Sequence, residues 1–494
     1  ESDLVLLPVM LTLAGAALAL AAKAWKDRPW SARLEAAAAA VGLFAPVGVL
    51  FLLLPAVLGG GVSFVVGDRG YPLGIVQRFD GLSWLVDILG FTGACAAWVY
   101  SRGSGPRNPL FTTLFLIQTS ALAATASCAD LFNLFVCLEV LGIASYALTA
   151  SSEKPAAFLA AFSYLAVSSA AMGFFLLGVF GLYRLTGSLS YSGIAAGLSA
   201  LEGGPGALYA GLSLACIVAA TAVRVAVLPV YGWLPDAHAA APHPVSAVLS
   251  GVLIKTPLFA LGRLMADLSG LEGPMGEILG RMLELLGLSG TATALIAVVV
   301  ALSQRDAKRL LAYHSISQIG YVVGAWALGS PVAVAAAWLH AFFHALFKGL
   351  LFLSVGTATD ALGNRDVYEA RGAAAALRKC GDSLSLTTVC FFVGALSIAA
   401  FPPFNGYASK NAVTYLFGHS WRYAVYSLTG IGTIASMIKL SRIFFGRTSG
   451  GAPPGAYRVK APMAGSMVFL ALLCVAGGIA ARPLGAFADR KSVV

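Results

Sequence analysis

Residues 331–357 read PVAVAAAWLHAFFHALFKGLLFLSVGT, an apolar run longer than the roughly 20 residues a helix needs to cross a bilayer, with His340, His344 and Lys348 in its middle. A charge at mid-bilayer costs about 2.5–3.5 kcal/mol on the insertion scale, so a lipid-facing helix could not hold that lysine without a partner. The run therefore belongs to a membrane protein, and its polar residues belong inside a bundle. His340, His344 and Lys348 stand at i, i+4 and i+8. At about 100° per residue they drift only about 80° over two turns and line one stripe about 12 Å long. Such a stripe suits the handing on of protons. An i, i+4 histidine pair could instead hold a metal or a haem, but no acidic or cysteine companion lies nearby in the sequence.

The whole chain has the same character. Of its 494 residues 59% are hydrophobic and 11% charged, and mean hydropathy is +0.83, whereas a soluble domain carries about a quarter charged residues. The net charge of +10 sits in short clusters between apolar segments, which is how topology is written in membrane proteins and not how nucleic acid is bound. Cys95, Cys128, Cys137, Cys216, Cys380, Cys390 and Cys474 are scattered with no C-x-x-C. They read as small packing residues rather than as disulfide or cluster ligands.

Spans are expected near 4–22, 36–59, 81–101, 109–128, 131–150, 156–183, 206–231, 240–268, 279–303, 308–329, 331–357, 384–416, 422–446 and 462–481. The fold expected is thus all-α and polytopic, a single bundle of about fourteen transmembrane helices with no soluble domain. The first run, near 4–22, has no basic leader and reads as a span, not a cleaved signal. Around 270–285, Glu272, Glu277, Arg281 and Glu284 recur at about one-turn spacing, the pattern of a helix end near the interface. Sorting Lys and Arg by this topology puts about 18 on one side, in loops such as 23–33, 102–107, 305–309, 365–379 and 442–460, and about 9 on the other. Both termini are expected on the non-cytoplasmic side of the cell's inner membrane.

Two helices should be broken, one by Pro229 and Pro235 and one by Pro402 and Pro403 followed by Gly406. A proline inside a span removes a backbone hydrogen bond, which is tolerated where protein or water satisfies the freed carbonyls. Paired interruptions in two halves are the sequence sign of a transporter with internal repeats.

Charges beyond the opening stripe fall inside apolar segments too. Glu139, in LFVCLEVLGIASY (134–146), needs a buried cation, and Arg224, five residues before Pro229, is the nearest candidate. Lys255, in SGVLIKTPLFALGR (250–263), stands mid-span, and Lys410 follows the Pro402-Pro403 break by one to two turns. Desolvation disfavours the charged form of an ammonium, so a buried lysine can release and regain a proton. Asp87 and Lys439 are less telling, since either could reach an interface or a neighbouring helix. His419, at a helix boundary, is expected to be solvated.

WLPDAHAAAPHPVSAVLSGVLIK (233–255), SQRDAKRLLAYHSISQIGY (303–321), HAFFHALFKGLLFLSVG (340–356) and FPPFNGYASK (401–410) together resemble the antiporter-like subunits of respiratory complex I. Tyr313-His314-Ser315 and YPLGIVQRFDGLS (71–83) look most like the D-type subunit of Mrp cation/proton antiporters and its relatives in membrane-bound hydrogenases. The resemblance implies two inverted five-helix repeats, 109–270 (helices 4–8) and 271–446 (helices 9–13), after N-terminal helices in 1–108 and before a last helix and tail in 447–494. By position it assigns proton-transfer roles to Glu139, Lys255, His340, His344, Lys348 and Lys410. The family usually has lysine where Arg224 stands and histidine where Tyr231 stands. Arginine stays protonated, so Arg224 can pair with Glu139 but cannot load and unload a proton.

The expected function is that of a proton-translocating subunit in a multi-subunit membrane complex, driven by redox chemistry in partner subunits or by sodium exchange. Its partners would be other membrane subunits, lipid, protons and, in the antiporter reading, Na+. No dinucleotide fingerprint, P-loop or cluster motif occurs in the sequence, and no cofactor, metal site or nucleic-acid contact is implied. The alternatives are a Na+/H+ antiporter subunit without redox partners, or an energy-coupling subunit serving uptake of a solute such as inorganic carbon.

Overall fold

The computed structural model describes residues 2–25, 27–67, 74–201, 203–418, 420–447 and 457–481. His419 and residues 71–73 of the quoted 71–83 segment lie outside them, as does the whole 482–494 tail.

Helices α1 (Ser2–Ala24), α2 (Ser31–Ala39) and α3 (Ala45–Leu58) come first, with a π-helical turn Ala40–Phe44 joining the latter two into one rod. A small antiparallel hairpin follows, β1 (Val62–Val66) pairing with β2 (Ile75–Phe79) so that Val62 faces Phe79 and Val66 faces Ile75. It was not foreseen from the sequence. Next are α4 (Gly81–Ser101), α5 (Pro109–Ser127), α6 (Leu131–Ala150), α7 (Pro155–Thr186) and the short α8 (Tyr191–Ser199). Their starts are set locally: Asp80, Asn108, Asp130 and Ser190 each accept a bond from a backbone N–H of the first turn, which satisfies groups a helix leaves unpaired.

The middle of the chain holds α9 (Gly204–Arg224), α10 (Trp233–Ala240), α11 (His243–Gly251), α12 (Thr256–Leu268), α13 (Gly273–Ser303) and α14 (Ala307–Trp326). The amphipathic stretch around 270–285 is the first turns of α13, where Glu277 and Arg281 pair on an exposed face at 3.9 Å. The last third comprises α15 (Pro331–Leu362), α16 (Ala373–Lys379), α17 (Leu386–Ile398), α18 (Asn405–Tyr415), α19 (Trp421–Ser441) and α20 (Ala461–Ile479).

Among the described residues eleven helical segments are long and apolar enough to cross a membrane. The structure thus bears out a polytopic all-α membrane protein, the hairpin being its only sheet among those residues. Three expected spans fall outside the eleven, and α14 shows why. It carries Lys308, His314, Ser315, Ser317 and Gln318, yet every residue in it except Arg309 and Tyr313 is buried. A helix surrounded by protein need not be apolar enough to face lipid.

Both expected breaks are present, and a third was not expected. The α9–α10 interruption spans Val225–Gly232, the α17–α18 interruption spans Ala399–Phe404, and the expected single helix 240–268 is divided at Val252, with a 3₁₀ turn Leu253–Lys255 before α12. Pro257 explains the last, since it offers no N–H to Leu253 one turn earlier and its ring crowds that carbonyl. The α17–α18 break depends on Gly406, where a Cβ would overlap the carbonyl oxygen of Ser397. Gly406→Ala should destabilise the protein by about 1–3 kcal/mol, the usual cost of forcing atoms into a filled space. A thermal midpoint of the purified complex equal to that of the parent would contradict this close approach.

Candidate functional site

Each interruption frees backbone carbonyls; at the second and third a lysine bonds to them, and at the first an arginine stands at the break and bonds across to a neighbouring helix. At the first, Arg224 ends α9. Its guanidinium donates to the carbonyl of Leu138 at 2.8 Å and lies 3.6 Å from the Glu139 carboxylate. The bend is covered by neighbours: the Trp233 indole donates to Val223 O at 2.9 Å, Leu228 N donates to the Thr293 hydroxyl at 3.0 Å, and Ser289 donates to Leu228 O at 2.7 Å. The Tyr164 ring stacks on Trp233 at 4.0 Å and Tyr146 meets Tyr164 edge-on at 4.5 Å, so aromatic rings close around the arginine.

The pairing of Glu139 with Arg224 is the one expected, but its position differs. Glu139 keeps 29% of its side chain exposed and shares its helix face with exposed Val136, Val140 and Ile143. It stands at the lateral rim of the bundle rather than in its interior.

At the second interruption Lys255 is fully buried, and its ammonium donates back to the carbonyls of Ser250 (2.9 Å) and Gly251, the last turn of α11. At the third, Lys410 donates to Ile398 O, the last residue of α17, at 3.0 Å and lies 4.9 Å above the Tyr321 ring. A lysine that satisfies a carbonyl left open by a broken helix is held in place while still able to give up its proton.

The stripe on α15 runs between these two lysines. His340, His344 and Lys348 are all fully buried. The His340 Nδ1 lies 3.0 Å from the Ser409 hydroxyl, one residue before Lys410, and the His340 and His344 rings are 6.2 Å apart. Lys348 donates to Leu311 O of α14 and sits 5.1 Å over the Phe352 ring. Lys255, Lys348, His344, His340 and Lys410 therefore lie along one internal row, of which the spacing had grouped only His340, His344 and Lys348.

Four further members of that row were missed or misread from the sequence. Lys308 was counted with a loop cluster at 305–309; it is buried, with its ammonium on the carbonyl of Ala241. His238, His314 and Gln318 were passed over, though each is fully buried. The signal available was their position in polar patches of otherwise apolar segments, WLPDAHAAAPH and AYHSISQ.

Both ring nitrogens of His238, His314 and His344, Nε2 of His340, and the amide of Gln318 are buried with no hydrogen-bond partner among the described residues. Buried polar atoms without protein partners are where proteins hold internal water. Their alignment along α14 and α15 marks the course a hydrated seam would take. Of the two residues left open by the sequence, Lys439 donates to the carbonyls of Leu302 (2.8 Å) and Gln304 (2.6 Å) and so ties α19 to the end of α13. Asp87 is buried with one oxygen unpartnered and lies within the field of Arg263.

Residues 128–439 match the family described as NADH:quinone oxidoreductase/Mrp antiporter, transmembrane. The NADH-quinone oxidoreductase subunit N of Desulforudis audaxviator is 32% identical over 474 residues, 92% of this chain and 90% of that one. The D-type subunit of the Na(+)/H(+) antiporter of Alkalihalophilus pseudofirmus is 29% identical over 80% of this chain and 79% of its own length. In fold, a chain of the membrane-bound sulfane sulfur reductase, an archaeal respiratory membrane complex, superposes with a TM-score of 0.85 at 24% identity, covering 99% of this chain and 97% of that one.

Proposed function

Because the chain belongs to the NADH:quinone oxidoreductase/Mrp antiporter family, we propose that it is the proton-translocating subunit of a multi-subunit membrane complex and that its internal row of cations is the path. One observation carries this reading. Lys255, Lys348 and Lys410 each rest on a backbone carbonyl, with His344 and His340 between them, in a bundle whose apolar exterior faces lipid. Neighbouring like charges disfavour simultaneous protonation, so a proton taken up at one site biases release at the next.

In this reading the chain crosses the membrane fourteen times, α14, α19 and the broken α17–α18 rod adding to the eleven apolar spans. Residues 109–270 and 271–446 are the two inverted repeats, 1–108 and 447–494 flank them, and both termini lie away from the cytoplasm, as the basic loops favour. Glu139, on the rim, is placed to sense a neighbouring subunit, and its bond to Arg224 is the gate of the first repeat. The driving force is redox chemistry in partner subunits, as the name of the quinone oxidoreductase relative suggests. A sodium gradient, suggested by the name of the Na(+)/H(+) antiporter relative, is the second reading.

The test is transport by the purified complex in vesicles, followed by an internal pH dye with and without sodium. Acidification that needs the redox substrate but not sodium supports the first reading, and strict sodium dependence supports the second. No pH change under either condition would remove both. Within this scheme Arg224→Lys should be tolerated, with transport within about threefold of the parent or faster, because a lysine keeps the charge opposite Glu139 and adds a group that can titrate. A loss of transport beyond tenfold in the assembled complex would mean that Arg224 is needed as a permanent charge.

A further inference from the structure

At the end of the bundle that carries the basic loops, Asp360 and His243 lie outside the row just described and lead toward two of its members, Lys308 and His238. Asp360, in the last turn of α15, keeps 34% of its side chain exposed, and its carboxylate lies 3.1 Å from Nε2 of His243 at the start of α11. The other ring nitrogen of His243, Nδ1, is buried and has no hydrogen-bond partner among the described residues. Lys308 of α14 sits beside them, its ammonium on Ala241 O and its charge acting on His243, Asp360 and His238 alike. His238 of α10 is fully buried with both nitrogens unpartnered. Its ring stacks on Phe352 at 4.8 Å, and the Lys348 ammonium lies 5.1 Å from that same ring.

We infer that Asp360 and His243 form the proton-loading port of the internal row, with Lys308 and His238 relaying from the port to Lys348 and Lys255. This deepens the proposed function and rests on it. The geometry supplies what loading requires: a carboxylate reachable from water, a histidine in contact with it, and further titratable groups stepping inward. A histidine bonded through one nitrogen to a carboxylate can receive a proton there and release another from the opposite nitrogen by exchanging tautomers. The unpartnered Nδ1 of His243 and both nitrogens of His238 are the atoms such a relay needs free. The port also answers a difficulty in the first repeat, where Arg224 cannot load a proton. The charged and titratable groups acting on Asp360 and His243 are Lys308 of α14, Arg365 of the 363–372 segment, Tyr100 of α4 and Tyr457 before α20.

The port is tested in the reconstituted complex with Asp360→Asn, His243→Gln and Gly356→Ala. A Cβ at Gly356 would overlap the His243 ring and push it from its place without removing a titratable group. Each variant should slow transport about tenfold or more at alkaline pH, where protons are scarce, and much less at acid pH. Azide, a small permeant weak acid, should restore the rate of Asp360→Asn, because it delivers protons past the lost carboxylate. A clamp that merely ties α11 to α15 would show neither the altered pH profile nor the rescue. An unchanged rate and pH profile in all three variants, or a loss that azide does not repair at any pH, overturns the port. Lys410→Ala, run in parallel, separates the two ideas. If it abolishes transport and azide does not restore it while the port variants are neutral, the port alone fails. If it too is neutral, the proposed function fails with it.

Discussion

Lys410→Ala should abolish coupled proton transport, by at least about 100-fold, the scale on which loss of a proton-transferring group acts, while the complex still assembles. Lys410 is the last cation of the row. Its ammonium holds Ile398 O at the end of α17 and neighbours Ser409, which contacts His340. Alanine removes the titrating group and leaves one carbonyl to be satisfied by water, a change a break already bordered by unpartnered polar groups can absorb. Lys410→Gln keeps a donor for that carbonyl and should be equally inactive. Assembly is checked by size-exclusion chromatography and transport by the pH dye. Glutamine at wild-type rate would show that Lys410 acts only as a structural clamp.

Lys255→Ala should cost as much, because Lys255 stands at the break between α11 and α12 and no other described lysine lies there. The decisive comparison is with Lys255→Arg. Arginine can reach the carbonyls of Ser250 and Gly251 and so preserve the cap on α11, but it cannot release a proton. If Lys255 hands protons on, both variants are inactive. If it serves only to close the end of a helix that Pro257 interrupts, arginine restores transport and alanine does not. The same vesicle assay decides, with the helix content of each variant followed by circular dichroism to confirm that α11 and α12 persist.

Much of this protein could be read from its sequence, and the reason differs by feature. The spans were legible because an apolar run of bilayer length is a local property: those expected at 81–101 and 131–150 are α4 (Gly81–Ser101) and α6 (Leu131–Ala150). The breaks at Pro229 and at Pro402-Pro403 were legible because a missing N–H interrupts a helix whatever surrounds it. Lys255, Lys348 and Lys410 stood out because a charge inside an apolar run has no inexpensive place to go except a protein interior.

The partners of these charges emerged only in three dimensions. Lys255 bonds to the end of the helix just before it, but Lys348 rests on Leu311 and Arg224 on Leu138, residues distant in the chain, and no spacing rule reaches across that separation. Lys308 shows the limit most clearly. Beside a loop it reads as a solvated charge, and it is buried because Ala241, in the turn between α10 and α11, closes over it. The polarity of α14 misled for the same reason, since hydropathy records what a helix could face and not what it does face. Membrane residence, and the set of side chains that must be hidden there, is already fixed in the order of residues, because transfer from water to lipid is a property of each residue and its near neighbours. Which carbonyl holds each lysine, and that His238 and His314 turn inward to join them, followed only from how distant helices come together.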